Sequence, residues 1–390
     1  MIPYGRQDIS EADIQAVVDV LKSDFLTQGP VVPAFEKAVA NYCSANYAFA
    51  VNSATSALHI ACLALNVSKG DLVWTTPITF VASANCALYC GAEVDFVDID
   101  SATYNMSASA LEEKLIKAEK LGRLPKVVIP VHLAGQSCEM DKIFELGKKY
   151  SFRIIEDASH AIGGKYKNKA IGGCQYSDIT VFSFHPVKII TTGEGGMCLT
   201  NDPKLAISLN RYRSHGIVRH QSEMTHIPDG PWYYQQIELG YNYRMTDIQA
   251  ALGLSQMKRL DEFVKARHTI AARYNDLLQE DWLQLPWQHS DTYSGFHLYI
   301  IRVKNNKKEF TRNQLFEKLR NAGILVNLHY IPIYKHPFYE LIGYDKKEYP
   351  QAELYYSEAI SIPIFATLTN EDQQFVVNTI NKPFGHQNLF

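Results

Sequence analysis

Residues 48–65 read AFAVNSATSALHIACLAL, an apolar run that passes through small polar residues into a second apolar run. Residues 48–51 have the pattern of a buried strand, and the small residues after Ser53 favour a helix that extends to about Leu65. A strand that leads directly into a helix is the building unit of a parallel sheet covered by helices. This stretch therefore predicts an α/β fold.

The same alternation of strand and helix continues on both sides of this stretch. Helices are predicted to begin at a capping box formed by Ser10 and Asp13 and again after Pro30. Further helices are predicted over 81–89, 108–121 and 140–149. Strands are predicted over 72–75, 93–97, 127–131, 153–155, 178–184 and 196–200. Strands that alternate with helices indicate a largely parallel sheet that is covered on both faces.

The pattern changes near Thr246, where one long helix over 246–278 is predicted with no strand behind it. A strand over 296–303, a helix over 311–321 and a stretch rich in Pro and Tyr over 329–349 follow. These elements indicate a smaller α+β domain. We therefore expect a large domain with an N-terminal arm over 1–250 and a small C-terminal domain over 251–390.

The composition excludes several classes of protein. The 390 residues include 38 basic and 41 acidic side chains, so no basic excess is available to attract nucleic acid. No apolar run approaches the roughly 18 residues that a membrane helix needs, and the first eight residues carry charge where a signal peptide is apolar. The seven cysteines are scattered without the paired spacing of a zinc site, which favours buried free thiols and no metal. We expect a cytoplasmic enzyme that binds neither nucleic acid nor membranes.

Candidate functional residues lie where the predicted strands end, because ligands of open α/β sheets bind at the carboxyl ends of the strands. The turn at 53–56 offers backbone N–H groups at a helix N-terminus, which suits either a phosphate or plain helix capping. Asp157 and His160 follow the strand that ends in Ile-Ile. Lys188 follows the sequence Phe-Ser-Phe-His-Pro-Val at 182–187 and is a candidate Schiff-base lysine, although most lysines are simply solvated.

Together these junctions match the needs of pyridoxal 5'-phosphate. That cofactor requires a helix N-terminus for its phosphate, an acid for its ring nitrogen, an aromatic ring on its face and a lysine for its aldehyde. Residues 53–56, Asp157, Phe80 and Lys188 supply these four groups in order. The chain contains neither a Walker loop nor a Gly-x-Gly-x-x-Gly sequence, which argues against nucleoside triphosphates and dinucleotides.

These motifs resemble the DegT/DnrJ/StrS family of sugar aminotransferases. The resemblance rests on Asp157 with His160, on Phe-Ser-Phe-His-Pro-Val-Lys at 182–188 and on Thr-Gly-Glu-Gly-Gly at 192–196, with weaker motifs at 26–30, 240–247 and 329–332. It implies the type I, aspartate-aminotransferase-like fold with a pyridoxal-phosphate cofactor. It also implies transfer of an amino group from L-glutamate to a sugar nucleotide, with 2-oxoglutarate as the second product.

The His-Pro-Val-Lys segment and the Ser-His pair after Asp157 most resemble the branch of this family that serves pseudaminic acid synthesis. That branch acts on C4 of a UDP-linked 4-keto-6-deoxy-N-acetylhexosamine. A sibling aminotransferase using another UDP- or dTDP-linked keto sugar remains an alternative. A sugar dehydratase would carry histidine in place of Lys188, and the intact set of Lys188, Asp157 and Ser183 opposes a non-catalytic sensor.

The resemblance also implies a role for individual residues. Lys188 and Asp157 are expected to be catalytic, and Asn242 is expected to reach the cofactor phosphate of the neighbouring subunit in a homodimer. His160 and Ala54 stand where many relatives have glutamine and glycine. The expected cofactor contacts are Ser53, Ala54, Thr55, Phe80, Asp157, His160, Ser183, Lys188 and Asn242. The expected substrate contacts are Tyr4, Leu26, Thr27, Gln28, Gly29, His329, Tyr330, Ile331, Pro332 and Tyr339, with domain packing as the alternative for Tyr4 and Tyr339.

Overall fold

The strands and helices alternate along the chain as predicted, and the computed structural model describes residues 1–278, 281–304, 311–344 and 349–382. The strands are β1 Ile2–Pro3, β2 Tyr47–Val51, β3 Leu72–Thr75, β4 Glu93–Phe96, β5 Val127–Ile129, β6 Arg153–Asp157, β7 Lys165–Tyr166, β8 Lys169–Ala170, β9 Ile179–Ser183, β10 Gly196–Thr200, β11 Ile217–Val218, β12 Gln235–Gln236, β13 Leu283–Gln284, β14 Thr292–Tyr293, β15 Tyr299–Val303, β16 Ile324–Leu325 and β17 Ala359–Ile362. The helices are α1 Glu11–Leu21, α2 Val31–Cys43, α3 Ala54–Ala64, α4 Ala82–Tyr89, α5 Ala108–Lys120, α6 Met140–Tyr150, α7 Pro203–Tyr212, α8 Asp247–Met257, α9 Leu260–Leu277, α10 Arg312–Asn321, α11 Pro337–Leu341, α12 Pro350–Glu358 and α13 Asn370–Asn381.

Seven strands form one sheet in the order β2-β10-β9-β6-β5-β3-β4. Within it, β10 runs antiparallel to both of its neighbours, whereas β9, β6, β5, β3 and β4 pair in parallel. Successive residues of β5 alternate between two hydrophobic clusters, with Val127 and Ile129 in one and Val128 in the other. The sheet is therefore buried on both faces, which confirms the predicted α/β class and the largely parallel sheet.

A second, three-stranded sheet of order β13-β15-β17 lies in the part of the chain beyond residue 280. Its strands share a hydrophobic cluster with α9, α10 and α13. The N-terminal strand β1 pairs in parallel with β16, and Ile2 packs into that same cluster. The domain boundary near residue 250 stays a prediction. Parts of the expected small domain, namely 279–280, 305–310, 345–348 and 383–390, lie outside the described residues.

The single helix predicted over 246–278 is wrong, because the structure has two helices there, α8 and α9. The chain leaves helical geometry at Arg259, with φ −109° and ψ 5°. The Arg259 guanidinium forms an ion pair with Asp8 and lies 3.9 Å from a carboxylate oxygen of Asp13. Neither Gly nor Pro marks this break, so local sequence alone did not reveal it. Within the described ranges, no helix combines the length and apolar character needed to cross a bilayer.

Candidate active site

A cavity of about 990 Å³ opens at the edge of the large sheet where β2, β6 and β9 end. Gly196, the first residue of β10, pairs with Val51 on one side and with Ser183 on the other. Asp157, the last residue of β6, pairs with Val181 of β9. This register brings three strand-end segments together at one edge. The predicted site residues that line the cavity are Tyr4, Ser53, Ala54, Thr55, Phe80, Asp157, His160, Ser183, Lys188, His329 and Tyr330.

The turn between β2 and α3 presents a helix N-terminus to the cavity. Ser53 is the N-cap, and its hydroxyl accepts a hydrogen bond from the Ser56 N–H at 3.1 Å. In the described structure, the N–H groups of Ala54 and Thr55 have no acceptor. The first-turn N–H groups and the positive end of the helix dipole favour an anion here. Capping by Ser53 and anion binding by the next two N–H groups therefore coexist in this turn.

Glycine at position 196 allows β10 to approach this turn closely. A Cβ atom on Gly196 would lie 2.6 Å from the backbone nitrogen of Ala54 and 2.6 Å from the backbone of Ser53. Both are backbone atoms, which cannot move aside by a change of rotamer. The glycine in the Gly-Gly pair at 195–196 is thus required by the packing of strand against turn.

Lys188 lies in the connection between β9 and β10 and lines the cavity. Its Nζ forms neither a hydrogen bond nor an ion pair within the described parts of the chain. Burial lowers the pKa of the Lys188 amine to about 8, although the negative charge of Asp157 acts in the opposite direction. The neutral, nucleophilic form of this amine is therefore far more populated at neutral pH than that of an ordinary lysine.

Four histidines line the cavity, and three of them, His160, His297 and His329, are buried. Burial is the main cause that keeps the pKa values of His160 and His297 well below their ordinary value, and repulsion from Lys188 adds to it. The same two causes lower the pKa of His329 to about 3. All three imidazoles are therefore neutral at physiological pH, and they contribute hydrogen-bonding groups without charge.

The hydrogen bonds of His160 determine which of its ring nitrogens carries the proton. Its Nδ1 accepts from the Ala134 N–H at 3.2 Å, so the proton of the neutral ring must reside on Nε2. Nε2 then donates to the Tyr330 hydroxyl oxygen, 3.1 Å away. The hydroxyl hydrogen of Tyr330 is consequently available to an acceptor in the cavity.

Asp157 also lines the cavity and is buried, and both of its carboxylate oxygens accept hydrogen bonds. Oδ1 accepts from the backbone N–H of Ser159 at 3.1 Å, and Oδ2 accepts from the Ser83 hydroxyl at 2.6 Å. Each carboxylate oxygen has two lone pairs, so the group retains acceptor capacity for a ligand. A buried carboxylate held by two donors is suited to pair with a cationic ring nitrogen.

The outer part of the cavity is aromatic. The Phe80 and Tyr330 rings lie with centroids 6.1 Å apart, and the Tyr4 and His329 rings lie 5.0 Å apart. The pairing of β1 with β16 brings the N-terminal arm to this place, and the Tyr4 hydroxyl bonds to the side chain of Asn327. Phe80 is 56 % exposed, so its ring is available for stacking on a flat ligand.

Other predicted contacts lie outside this cavity. Leu26, Thr27, Gln28 and Gly29 lie beside the start of α8, where the Gly29 N–H donates to Asp247 at 2.7 Å. Ile331 and Pro332 follow Tyr330 in sequence but do not line the cavity.

Tyr339 is buried among aromatic rings, and its hydroxyl donates to the Asn85 side chain at 2.6 Å. The ring and the hydroxyl of Tyr339 both have protein partners. Its position therefore agrees with the alternative expectation, that it serves in packing. Asn242 is exposed on the surface, and its backbone oxygen accepts from Asn52.

The chain matches the DegT/DnrJ/EryC1/StrS aminotransferase family over residues 7–381. It belongs to this family. It is 39% identical over 385 residues to the UDP-4-amino-4,6-dideoxy-N-acetyl-beta-L-altrosamine transaminase of Campylobacter jejuni serotype O:23/36, covering 97% of this chain and 96% of that one. It is also 37% identical over 382 residues to the spore coat polysaccharide biosynthesis protein SpsC of Bacillus subtilis, covering 97% and 96% of the two chains.

Solved structures agree with this assignment. Helicobacter pylori PseC, an aminotransferase of pseudaminic acid biosynthesis, superposes with a TM-score of 0.87 at 32% identity, covering 97% of this chain and 98% of that one. The pyridoxal-phosphate form of the sugar aminotransferase Spr1654 from Streptococcus pneumoniae gives 0.87 at 30% identity, with 97% of each chain covered. The protein is therefore a pyridoxal-phosphate-dependent sugar-nucleotide aminotransferase, and it has the fold that its motifs predicted.

The chemistry of the residues that line the cavity fits pyridoxal phosphate, independently of the family resemblance. Two N–H groups without acceptors at a helix N-terminus match a phosphate, and the unpaired amine of Lys188 matches an aldehyde. Asp157 matches a protonated ring nitrogen, and the exposed ring of Phe80 matches the face of a pyridine.

Several residues of the cavity were missed in the sequence. Those beside the quoted motifs, such as His185 and Glu194, could have been found from their neighbours. His297 had no such signal, because it precedes a strand of the other sheet, β15, that only the tertiary fold brings to the cavity. The missed polar residues of the cavity are Asn52, Thr79, Ser159, His185, Glu194, Gln249, His297 and Asn327. The prediction of free cysteines is confirmed, since all seven are unpaired thiols.

Proposed function

We propose that the enzyme transfers the amino group of L-glutamate to C4 of UDP-2-acetamido-2,6-dideoxy-β-L-arabino-hexos-4-ulose, a step of pseudaminic acid synthesis. The observation that carries this proposal is the 39% identity, over nearly the whole chain, to the altrosamine transaminase of Campylobacter jejuni. The similarity to Helicobacter pylori PseC over 97% of the chain supports it. The occurrence of His160 and Ala54 at positions where many relatives have other residues is consistent with it.

The geometry of the cavity supports a proposed role for each of its main residues. The N–H groups of Ala54 and Thr55 bind the cofactor phosphate, and Asp157 holds a proton on the ring nitrogen. The bound cofactor supplies an electron sink conjugated to the amine being transferred. Lys188, half neutral near pH 8, removes the α-proton of the amino donor. In the second half of the reaction the same amine delivers a proton to C4 of the sugar. The amino donor and the keto sugar bind one after the other, each in its own half of the reaction.

The substrate is proposed to lie in the outer, aromatic part of the cavity. Tyr4, Asn327 and Tyr330 supply hydroxyl and amide groups there, and they can orient a sugar whose hydroxyl and keto groups need defined partners. The cavity lining of one chain contains no arginine, and Lys188 is its one lysine among the described residues. We therefore propose that a few neutral donors, together with groups from a second subunit, bind the diphosphate.

The substrate is tested by incubating the purified holoenzyme with L-glutamate and a set of keto sugars. The set comprises the proposed UDP sugar, its D-configured sibling and GDP- and dTDP-linked 4-keto-6-deoxyhexoses. NMR of the product gives the configuration at C4, and Lys188→Ala serves as the inactive control. Preferred turnover of a GDP- or dTDP-linked sugar would reject the proposed substrate while leaving the aminotransferase activity standing. Such an outcome is a real alternative, since a GDP-perosamine synthase of Escherichia coli O157:H7 is 33% identical over 392 residues.

We further propose that the enzyme is a cytoplasmic homodimer in which Asn242 reaches the partner's cofactor phosphate. Its exposed position, outside the cavity of its own chain, is consistent with a role in trans. Mixing inactive Lys188→Ala subunits with Asn242→Ala subunits then rebuilds one intact site in each mixed dimer. The mixture is expected to recover about a quarter of wild-type turnover, because half of the dimers are mixed and each has one site. No recovery, despite subunit exchange, would show that Asn242 acts within its own chain or not at all.

A further inference from the structure

Ser83 lies behind the cavity and takes no part in its lining. It belongs to the first turns of α4, the helix that follows Phe80, and its side chain is fully buried. The hydroxyl donates to Asp157 Oδ2 at 2.6 Å, although the two residues are 74 positions apart in sequence. The same hydroxyl lies 2.7 Å from the Thr79 hydroxyl. A buried serine with these two partners, and no bond from its hydroxyl to the helix backbone, is more than a packing residue.

The number of hydrogens fixes the direction of this chain of hydroxyl groups. An ionised carboxylate accepts only, so the single hydroxyl hydrogen of Ser83 points to Asp157. The Ser83 oxygen can then only accept from Thr79, and the order of donation runs from Thr79 to Ser83 to Asp157. Each donor polarises the next, which strengthens the final bond to the charged group.

The two hydrogen bonds of Asp157 also fix its orientation. Ser83 holds Oδ2 and the Ser159 N–H holds Oδ1, so the carboxylate plane cannot rotate without breaking one of them. A carboxylate that receives a strong donor is a weaker base than one without it. A proton shared between Asp157 and a ring nitrogen is thereby moved toward the nitrogen.

We propose that Ser83 is a positioning residue that keeps Asp157 anionic and oriented, so that the proton stays on the ring nitrogen of the cofactor. This proposal rests on the pairing of Asp157 with that nitrogen proposed above. Ser83 acts through Asp157 and touches neither cofactor nor substrate. Ser83 thereby supports the ability of the bound cofactor to accept electrons, and the binding of the sugar does not depend on Ser83.

The test uses ring-¹⁵N-labelled pyridoxal phosphate bound to the wild-type protein, to Ser83→Ala and to Asp157→Asn. The ¹⁵N resonance reports whether the ring nitrogen is protonated, which a loss of packing alone would not change. In Ser83→Ala we expect the resonance to move from the protonated toward the neutral position, and the affinity of the apo-protein for the cofactor to fall about tenfold. Ser83→Cys keeps the volume but offers a weaker donor. Its ¹⁵N resonance and its affinity for the cofactor should lie between those of the wild-type protein and Ser83→Ala.

Cys86→Ala is the matched control, because Cys86 is equally buried on the same helix and has no bond to Asp157. It should leave the ¹⁵N resonance at the wild-type position. A wild-type resonance in Ser83→Ala, with a shifted one in Asp157→Asn, would overturn the role of Ser83 alone. An unshifted resonance in Asp157→Asn would overturn the pairing itself. If Ser83→Ala does not fold, Ser83→Cys decides, since an unshifted resonance there also rejects the proposal.

Discussion

The reactivity of Lys188 with the cofactor should depend on pH in a way that its burial dictates. Burial lowers the pKa of this amine to about 8 from an ordinary value of 10.5. Only the neutral amine attacks an aldehyde, and its fraction grows as pH rises through the pKa. Raising the pH of the apo-protein should therefore speed cofactor attachment up to about pH 9 and then have little further effect.

The size of the effect follows from the two pKa values. At pH 7 an amine with a pKa of about 8 is roughly one tenth neutral, whereas an ordinary lysine is neutral in about 0.03% of molecules, a ratio of about 300. The assay mixes apo-protein with pyridoxal phosphate in a stopped-flow instrument between pH 6 and pH 10. It follows the visible absorption of the lysine-bound cofactor. The rate constant should rise about tenfold per pH unit below pH 7 and reach half its maximum near pH 8.

A free amine treated in the same way provides the comparison. Nα-acetyl-lysine should show a rate that continues to climb beyond pH 9.5, because its pKa is not lowered by burial. Lys188→Ala should show no visible band at any pH. A protein rate that climbs in parallel with the free amine would refute the argument that burial activates Lys188.

Three further variants test separate parts of the structure. Gly196→Ala places a Cβ atom 2.6 Å from the Ala54 nitrogen, so it should cost about 1–3 kcal/mol of stability and weaken cofactor binding in an equilibrium titration; unchanged affinity would contradict the close packing of β10 on the turn. Glu358→Gln weakens the buried pair in which two nitrogens of Arg302 donate to Glu358 Oε2 and should lower the free energy of unfolding in urea by up to about 3–5 kcal/mol, while a paired apolar replacement of both residues should recover much of it. Asp157→Asn should slow turnover by slowing removal of the donor's α-proton, seen as a larger kinetic isotope effect with α-deuterated glutamate; normal turnover would count against its pairing with the ring nitrogen.

The large sheet was predictable because its strands obey local rules. The strands over 72–75 and 196–200 were predicted with the bounds that the structure shows, since short apolar runs bounded by polar residues read as buried strands. The division of the helix at Arg259 was not predictable from the local sequence, because neither Gly nor Pro marks it; in the structure the Arg259 side chain pairs with Asp8, about 250 residues away. The strands of the large sheet could thus be predicted from the local sequence, whereas the division of this helix could not.

The site shows the same contrast. Lys188, Asp157 and the turn at 53–56 stand at strand ends, where a general rule of α/β proteins directs attention. Ser83 and His297 follow no such rule, because Ser83 acts from inside a helix and His297 precedes a strand of the other sheet. Tyr339 was expected either to contact the substrate or to serve in packing, and its aromatic neighbours and its bond to Asn85 agree with packing. Side-chain partners of this kind are set by the tertiary structure alone.

Lys188 is the residue proposed to hold the cofactor, and chemical trapping tests this directly. Reduction of the holoenzyme with borohydride fixes the cofactor to its lysine, and peptide mass spectrometry then locates the added mass. We predict a single modified peptide that contains Lys188, and its loss when L-glutamate is added before reduction, because the amino donor releases the lysine. Modification of another lysine, or an unmodified Lys188 in a protein that retains full activity, would contradict the assignment of the active site.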